Sequence, residues 1–263
     1  MTAVDYFQSV IQATWMNAKK GPLADPRVRR ALHLVLNRPV LVEVVKDVAP
    51  MMVGGFVYPF SDNATPIAEL KKRLGYMDNT DAAIVEAKKL MAEAGYAKGI
   101  PEGLDFLVRE VASFKLWSQA IQAMLDQALG VKCNLRTVVE SVWFDDVRSG
   151  NYDMAIGAIV STLIDPSDYF GAWYAKGGPQ NYSNWENEEF EGLLKVIDSE
   201  VDPTKRQAAI TAAEMVMEKN PPLLPVAWEK INDGWYDYVK GHRPNNYFGI
   251  YDVVRFDTFW LDK

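Results

Sequence analysis

A short segment of this chain places hydroxyl, carboxylate and aromatic side chains directly after an apolar run. The segment GAIVSTLIDPSDYFGAWY extends from Gly157 to Tyr174, and the residues NYDMAI before it predict the start of a buried strand. Its polar and aromatic residues are Ser161, Thr162, Asp165, Ser167, Asp168, Tyr169, Trp173 and Tyr174. Because hydroxyls and carboxylates supply hydrogen bonds while aromatic rings supply rigid apolar surface, this mixture indicates a pocket for a polar solute.

The same carboxylates raise hydrolysis as an alternative. Asp165 and Asp168 could serve as an acid and a base, but Asp165 stands before Pro166, a pair that is typical of a helix start. The chain contains no Gly-x-Ser-x-Gly, Gly-x-Gly-x-x-Gly or Walker motif. We therefore predict a binding protein with no catalytic residue and no cofactor, and we keep a hydrolase using Asp165 and Asp168 as the alternative.

The residue types that bind metals are sparse in this sequence. Cys133 is the only cysteine, which excludes an intrachain disulfide and a cysteine-based zinc site. It stands in an apolar run and is predicted to be a packed core residue. The chain has two histidines, His33 and His242, and His33 has no acidic or histidine partner at metal-ligand spacing. The sequence predicts no metal site, and we expect His33 to be a surface or packed histidine.

Composition limits the classes of partner. The 263 residues carry a net charge of −7 and a pI of about 5.0, with no basic run, so a nucleic-acid partner is not expected. The apolar stretches are far shorter than the roughly 18 residues that a membrane span requires. The first residues, MTAVDY, have neither a basic nor an apolar signal region, so we expect no export signal on this chain.

The elements that must position the segment alternate between strand and helix. Apolar runs predict strands near 104–111, 131–138, 152–160 and 223–228. Helical spacing and cap residues predict helices beginning near Asp25-Pro26, Pro39, Asn79, Leu116, Val142, Asn187 and Thr204. This alternation predicts an α/β fold with a mixed sheet flanked by helices. Ligands of such sheets bind beyond the carboxyl ends of strands, which is the place of the 157–174 segment.

Five fragments of the sequence, in order, resemble one known family. ADPRVRRALHLVLNRPVLVEVV is similar to the DPRVRRALSLALDR signature of extracellular solute-binding proteins of family 5, the oligopeptide, dipeptide and nickel type that serves ABC importers. The other fragments are AKKLMAEAGYAKG, WSQAIQAMLDQALGVKCNLRTV, GNYDMAIGAIVSTLIDPSDYF and NYSNWENEEFEGLL. The resemblance covers about Asn17 to Trp228 and implies a lobe of the periplasmic-binding-protein type II class.

The resemblance also implies the organisation of the chain. Members of the family are about twice this long, and their signal peptide and first lobe precede the DPRVRRAL helix. The implied divisions are an N-terminal lead and hinge segment over 1–24, a C-terminal lobe over 25–240 and a returning tail over 241–263. The implied role is that of a periplasmic receptor that binds a peptide or another small polar solute between two lobes and delivers it to an inner-membrane ABC permease.

The family's ligand-facing loop coincides with the segment described first. The expected ligand-binding residues are Ser161, Thr162, Asp165, Tyr169, Trp173, Tyr182 and Trp185. In peptide-binding relatives, an aspartate at the position of Thr162 often holds the peptide's amino terminus. A threonine cannot supply that charge-assisted bond, so a sugar, a polyol or a modified peptide is as plausible as an ordinary peptide unless Asp165 or Asp168 substitutes.

Two further expectations concern partners. If the other lobe is absent, apolar side chains of the N-terminal lead and of the aromatic tail over 247–260 should be exposed. Large exposed apolar patches are typical of interaction surfaces, so we expect self-association through that face. A standalone interaction module remains an alternative to a solute receptor.

Overall fold

The computed structural model describes residues 1–76, 80–161, 163–243 and 256–262. The strands are β1 Thr2–Met16, β2 Met51–Met52, β3 Leu104–Arg109, β4 Cys133–Val138, β5 Met154–Val160, β6 Leu223–Trp235, β7 Val239–Lys240 and β8 Trp260–Leu261. The helices are α1 Pro26–Leu34, α2 Arg38–Val45, α3 Ile67–Leu70, α4 Thr80–Glu93, α5 Ala112–Leu129, α6 Glu140–Ser149, α7 Pro166–Trp173, α8 Glu188–Ser199 and α9 Pro203–Lys219. Short 3-10 helices span Gly21–Ala24 and Phe256–Thr258.

Six strands form a mixed sheet in the order β2-β6-β1-β5-β3-β4. The strands β3, β4 and β5 run parallel, whereas β1 is antiparallel to both β5 and β6. The two crossovers of the parallel part are made by α5, between β3 and β4, and by α6, between β4 and β5, as the alternation of elements predicts. The predicted α/β class with a mixed sheet is therefore confirmed.

The strand β1 was not predicted. It lies between β5 and β6, within the 1–24 segment for which the resemblance implies a lead and hinge. Alternate residues of β1 enter opposite cores: Met16 packs on one face of the sheet, while Ala13 and Trp15 pack on the other. The proposed divisions at 24/25 and 240/241 stay predictions.

Two apolar cores cover the two faces of the sheet. One core contains side chains of α1, α2, α4 and α5, such as Leu32, Leu41, Met91 and Ile121. The other contains side chains of α6 to α9, such as Trp143, Phe170, Leu194 and Ile210. The layered arrangement explains the helical spacing of apolar residues in these segments, since each helix buries one stripe against the sheet.

The strand β6 extends well past its predicted end at 228. Its last residues pair with the start of β1, from Phe7↔Lys230 to Thr2↔Trp235, and form a two-stranded ribbon. The residues of β6 after Trp228 include Glu229, Lys230 and Asn232. Backbone pairing forms this ribbon, and His242 contacts it by pairing with Asp233 at 2.5 Å and by meeting the Trp235 ring at 4.3 Å. The polar residues of this part of β6 give no apolar pattern that predicts a strand.

The expected core residues are buried. Cys133 is a free, buried cysteine, and burial raises the pKa of its thiol to about 12. His33 is fully buried beside the Arg38 guanidinium and stacks on Phe56, with 6.5 Å between ring centroids. Burial first, and then the Arg38 charge, hold the pKa of His33 well below its usual range. Both side chains therefore behave as packing residues.

Candidate functional site

A cavity of about 490 Å³ opens where β3 and β5 separate. The pairing of β3 with β5 stops at Val108↔Ile156, whereas β5 continues to Val160. The residues that line the cavity are Val10, Gln12, Trp15, Arg109, Val111, Ser113, Phe114, Trp143, Phe144, Ala158, Val160, Trp173, Gln180, Tyr182, Glu229 and Ile231. The cavity thus lies at the carboxyl ends of two parallel strands, where α/β sheets bind ligands.

The end of β5 offers an edge of backbone groups to this cavity. The whole of β5 pairs with β1 in antiparallel register, and the next residue, Ser161, donates its backbone N–H to the Ser9 carbonyl. Backbone groups alternate in direction along a strand, so the odd-numbered residues of β5 face β1 and the even-numbered residues face away from it. Ala158 and Val160 consequently direct their N–H and C=O groups to the side where β3 has ended.

Four aromatic rings form one side of the cavity. Trp15 stacks on Trp173 with 5.9 Å between centroids and an interplanar angle of 21°. Trp143 and Tyr182 meet Trp15 at centroid distances of 5.8 and 5.7 Å, and Tyr182 also stands edge-on to Trp173 at 5.9 Å. The tryptophans are buried, and Tyr182 is half-buried at the rim. Mutual packing of this kind fixes ring positions and gives rigid apolar surface.

The close packing of these rings requires a glycine in β5. An ideal Cβ on Gly157 would lie 2.6 Å from Cζ3 of Trp15 and 2.8 Å from Cζ2 of Trp143. A contact below 3.0 Å would force one of the indoles to move. Gly157 therefore allows two tryptophans from distant parts of the chain to approach the same strand.

Charged and amide groups occupy the other sides of the cavity. The Gln12 amide nitrogen donates to Glu229 at 3.1 Å. Burial raises the pKa of the Glu229 carboxyl, and the bond from Gln12 partly opposes that effect. The Arg109 guanidinium pairs with Glu140 at 3.0 Å and lies over the Phe114 ring at 5.2 Å. The cavity thus combines stacking surface with a small number of polar groups, as ligand pockets do.

Two of the predicted site residues line this cavity, Trp173 and Tyr182. Trp173 is the last residue of α7, and the loop that carries Tyr182 is held by the Tyr152 hydroxyl, which donates to the Tyr182 carbonyl. Ser161 and Tyr169 instead border a much smaller cavity of about 10 Å³ near Tyr58. The Ser161 hydroxyl is bonded to the backbone of its own loop and to Asp168.

The carboxylates of Asp165 and Asp168 both have structural partners. Asp165 caps α7 by accepting from the Ser167 N–H at 2.8 Å, which confirms the predicted cap, and it pairs with Arg206 at 2.6 Å. Asp168 accepts from the Ser161 hydroxyl at 2.8 Å. Neither carboxylate lines the aromatic cavity, so this geometry offers no support for a hydrolytic pair.

Trp185, another predicted site residue, is not on the lining of the aromatic cavity. Trp185 is 1% exposed, packs on Phe190 at 5.1 Å and donates its indole N–H to Asn220 at 3.1 Å. It is thus a core residue beneath the loop that carries Tyr182. Thr162 lies outside the described residues.

Over 1–76, 80–161, 163–243 and 256–262, no group of three or more His, Cys, Asp or Glu side chains is arranged to hold a metal ion. Among the helices of the same residues, none combines the length and the apolar character needed to cross a membrane.

Sequence reasoning missed the other residues that line the cavity, among them Gln12, Trp15, Arg109 and Trp143. The sequence does contain a strand signal around Gln12 and Trp15, since the stretch SVIQATWM has the apolar and β-branched residues that are typical of a strand. Arg109 and Trp143 stand at the end of β3 and within α6, and nothing in their local sequence separates them from ordinary surface and core residues.

Known proteins resemble this chain in sequence and in fold. The profile of bacterial extracellular solute-binding proteins, family 5 Middle, matches residues 4–181. The chain is 26% identical over 241 residues to a probable deoxycholate-binding periplasmic protein of Escherichia coli, covering 88% of the chain and 43% of that protein. It is 25% identical over 211 residues to the periplasmic oligopeptide-binding protein of Salmonella typhimurium, covering 80% of the chain and 38% of that protein.

Solved structures share the fold over nearly the whole chain. The murein tripeptide binding protein of Escherichia coli superposes with a TM-score of 0.83 at 22% identity, covering 98% of this chain and 49% of that one. The oligopeptide-binding protein of Haemophilus influenzae in complex with the peptide RPPGFSPFR gives a TM-score of 0.79 at 19% identity, covering 99% of this chain and 50% of that one. The fold is that of a periplasmic-binding-protein type II lobe, and the chain spans about half the length of these relatives or less.

Proposed function

We propose that this chain, which belongs to the bacterial extracellular solute-binding proteins of family 5, forms the C-terminal lobe of a periplasmic receptor that delivers a solute to an ABC importer. The solute is a peptide-like or other small polar molecule, and it binds reversibly, without chemical change. Its site on this lobe is the cavity between the end of β5 and the aromatic rings.

The observation that carries the proposal is the unpaired edge of β5 beside that cavity. Ala158 and Val160 both line the cavity, and their backbone groups face the side where β3 has ended. An extended peptide can add to such an edge as a further strand, with its side chains in neighbouring pockets. Backbone hydrogen bonds then supply affinity, and the Trp173 and Tyr182 rings supply contact with a side chain or ring.

The names of the relatives cover several solute classes. Those quoted above refer to deoxycholate, oligopeptides and a murein tripeptide. Thr162 offers no carboxylate for a free α-amino group, and Asp165 is already paired with Arg206. We therefore expect solutes with a blocked or absent amino terminus to bind at least as well as those with a free one.

The proposal extends to the partners and the compartment of the whole protein. An inner-membrane ABC permease would receive the solute, and the protein would act in the periplasm, as its named relatives do. Self-association stays a prediction: residues 247–255 of the tail lie outside the described residues, and the described Trp260 and Leu261 are 57% and 59% exposed. Light scattering across a concentration series would measure it, and a strictly monomeric species at high concentration would contradict it.

The test of the receptor proposal combines binding with a check for turnover. The chain is incubated with a tripeptide library in amino-acetylated and free forms, and retained and released peptides are identified by mass spectrometry. We expect retained peptides to be recovered intact, with acetylated forms at least equally represented. Cleaved products would favour a hydrolase instead, and retention of no peptide would count against the peptide-like solute.

A pair of variants at one position tests the role of the β5 edge. Ala158→Pro removes the backbone N–H that faces the cavity, whereas Ala158→Val keeps it and serves as the matched control. We expect Ala158→Pro to weaken the binding of a retained peptide by about tenfold relative to Ala158→Val, the effect of about one backbone hydrogen bond. Equal affinities for the two folded variants would show that the peptide does not pair with this edge.

A further inference from the structure

Glu229 is a carboxylate on the lining of the aromatic cavity, and no cation pairs with it among the described residues. The side chain is half-buried, and its one hydrogen bond there comes from the Gln12 amide, which donates to Oε2 at 3.1 Å. The other oxygen, Oε1, has no partner in that part of the chain and is not among the fully buried polar atoms, so it keeps accessible surface. Buried carboxylates are usually paired with a cation, which makes Glu229 a candidate for a group that a solute pairs with.

The other charged side chain on this lining does not offset Glu229. Arg109 pairs with Glu140 at 3.0 Å, and it stands on β3, which is separated from β6 by β5 and β1. The Glu229 carboxylate therefore has acceptor capacity that no cation of the described residues uses. A metal ion is a poor fit, because no group of three His, Cys, Asp or Glu side chains in the same residues is arranged to hold one. An organic cation is the better match.

The sheet provides an apolar floor between the unpaired edge of β5 and Glu229. Val10 of β1 is opposite Val160 of β5, and Gln12 is opposite Ala158, so these four side chains share one face of the sheet. Glu229 lies on the same face, because Ala158 and the residue opposite Glu229 on β2 both pack against the core that contains α5. Val10, Ala158 and Val160 also line the cavity. A solute at the β5 edge can therefore lay an apolar stem along this floor towards Glu229.

The distance across this floor selects for length. A peptide strand added to the edge of β5 would be three interstrand spacings from β6, roughly 14 Å. The bond between Gln12 and Glu229 indicates that the carboxylate extends from β6 over β1, which shortens the gap. An extended lysine or arginine side chain, roughly 6–7 Å long, covers the rest. The amino terminus of the peptide stays on its own backbone and is too far away, so blocking it does not affect this contact.

We infer that Glu229 selects peptide-like solutes that carry an ammonium or guanidinium group at the end of a long side chain. The inference rests on the proposed function, because it names the class of solute that the same site takes. The methylene groups of the side chain lie on Val10 and Val160, as those of lysine and arginine do on apolar surfaces, and the cation pairs with the carboxylate. Burial raises the pKa of Glu229, and a bound cation opposes that effect.

The test compares amino-acetylated alanine tripeptides on the full chain by isothermal titration calorimetry. Lysine, norleucine or 2,4-diaminobutyrate replaces alanine at each of the three positions in turn; norleucine keeps the stem without the charge, and diaminobutyrate keeps the charge on a shorter stem. We expect lysine at one position to bind at least about tenfold more tightly than norleucine, the effect of one charge-assisted hydrogen bond, and diaminobutyrate to have no such advantage. Equal affinities of the lysine and norleucine peptides at all three positions would overturn the inference without any variant. An equal advantage for diaminobutyrate would show that the cation meets a nearer group than Glu229.

A pair of variants identifies the carboxylate responsible. Glu229→Gln keeps the shape of the side chain and removes its charge. The control Glu43→Gln removes the same charge from the exposed surface of α2, where Glu43 pairs with Lys46 outside the cavity. We expect the advantage of lysine over norleucine to disappear in Glu229→Gln and to persist in Glu43→Gln. A full advantage in folded Glu229→Gln, or an equal loss in both variants, would refute the assignment to Glu229.

The outcome is distinguishable from a failure of the proposed function. If tripeptides are retained through the β5 edge while lysine shows no advantage over norleucine, the receptor proposal stands and the inference about solute class is wrong. If no tripeptide binds the chain, with or without lysine, both are rejected.

Discussion

The substitution Gly157→Ala tests whether the aromatic cavity depends on one missing side chain. The new Cβ would stand 2.6 Å from Cζ3 of Trp15 and 2.8 Å from Cζ2 of Trp143, and both indoles are almost completely buried. Rigid buried rings cannot swing aside as an exposed side chain would, so the added methyl group overpacks the core.

The magnitude follows from two opposing effects. Overpacking a dense core costs about 1–3 kcal/mol. Replacing glycine with alanine restricts the unfolded chain and returns about 0.4–1 kcal/mol, since Gly157 is not among the glycines with positive φ. The expected net loss in the free energy of unfolding is therefore about 0–2.6 kcal/mol, with a central value of about 1.3 kcal/mol.

Urea denaturation measures this loss as a shift of the midpoint at constant slope, roughly 0.5 M for a chain of this size. The control is Gly192→Ala in α8, where an added Cβ meets nothing within 4 Å. That change should stabilise the chain slightly, because alanine is the better helix former by about 0.5–1 kcal/mol. A Gly157→Ala midpoint equal to or above that of the wild type would refute the reasoning.

A double-mutant cycle identifies the ring responsible for the clash. In a Trp143→Leu background the nearest atoms of that indole are gone, so Gly157→Ala should cost about 1 kcal/mol less than in the wild type. If the two substitutions are additive, the loss does not arise from contact with Trp143, and the packing argument fails for that ring.

Three further predictions concern single side chains. Burial raises the pKa of the Glu214 carboxyl from 4.5 to about 7, although the hydrogen bond from Thr65 opposes the shift. The folded protein therefore loses stability as the pH rises from about 4.5 to 7, and the free energy of unfolding of the wild type should fall by about 3 kcal/mol relative to that of Glu214→Gln. A difference that does not change with pH would contradict the burial argument. Asp165→Ala removes the cap of α7 and the ion pair with Arg206, and it should lower the free energy of unfolding by about 1–2 kcal/mol. Bound peptides should be recovered intact from both the wild type and Asp165→Ala, whereas cleavage by the wild type alone would show that Asp165 is catalytic. Trp173→Ala should weaken a retained peptide by more than roughly 1 kcal/mol, whereas Trp185→Ala should lower the thermal midpoint and leave the affinity of the folded fraction unchanged; equal losses of affinity would show that Trp185 belongs to the site after all.

Local sequence signals predict many of the helices and strands of this chain. The Asp-Pro pairs at 25–26 and 165–166 predicted helix starts, and both aspartates accept a backbone N–H in the first turn. Helical spacing of apolar residues and the strand-helix alternation predicted the α/β class. These signals act within one turn or one strand, so the residues that carry them lie next to one another in the sequence.

The position of the cavity depends on how distant segments of the chain pack together. Trp15 and Trp143 are far apart in the sequence, and they meet because β1 inserts between β5 and β6 and because Gly157 leaves room on β5. The same insertion brings Gln12 to Glu229. Whether an aromatic residue such as Trp185 faces a ligand or the core depends on elements that pack against it from distant parts of the chain, and local pattern contains no information about strand order.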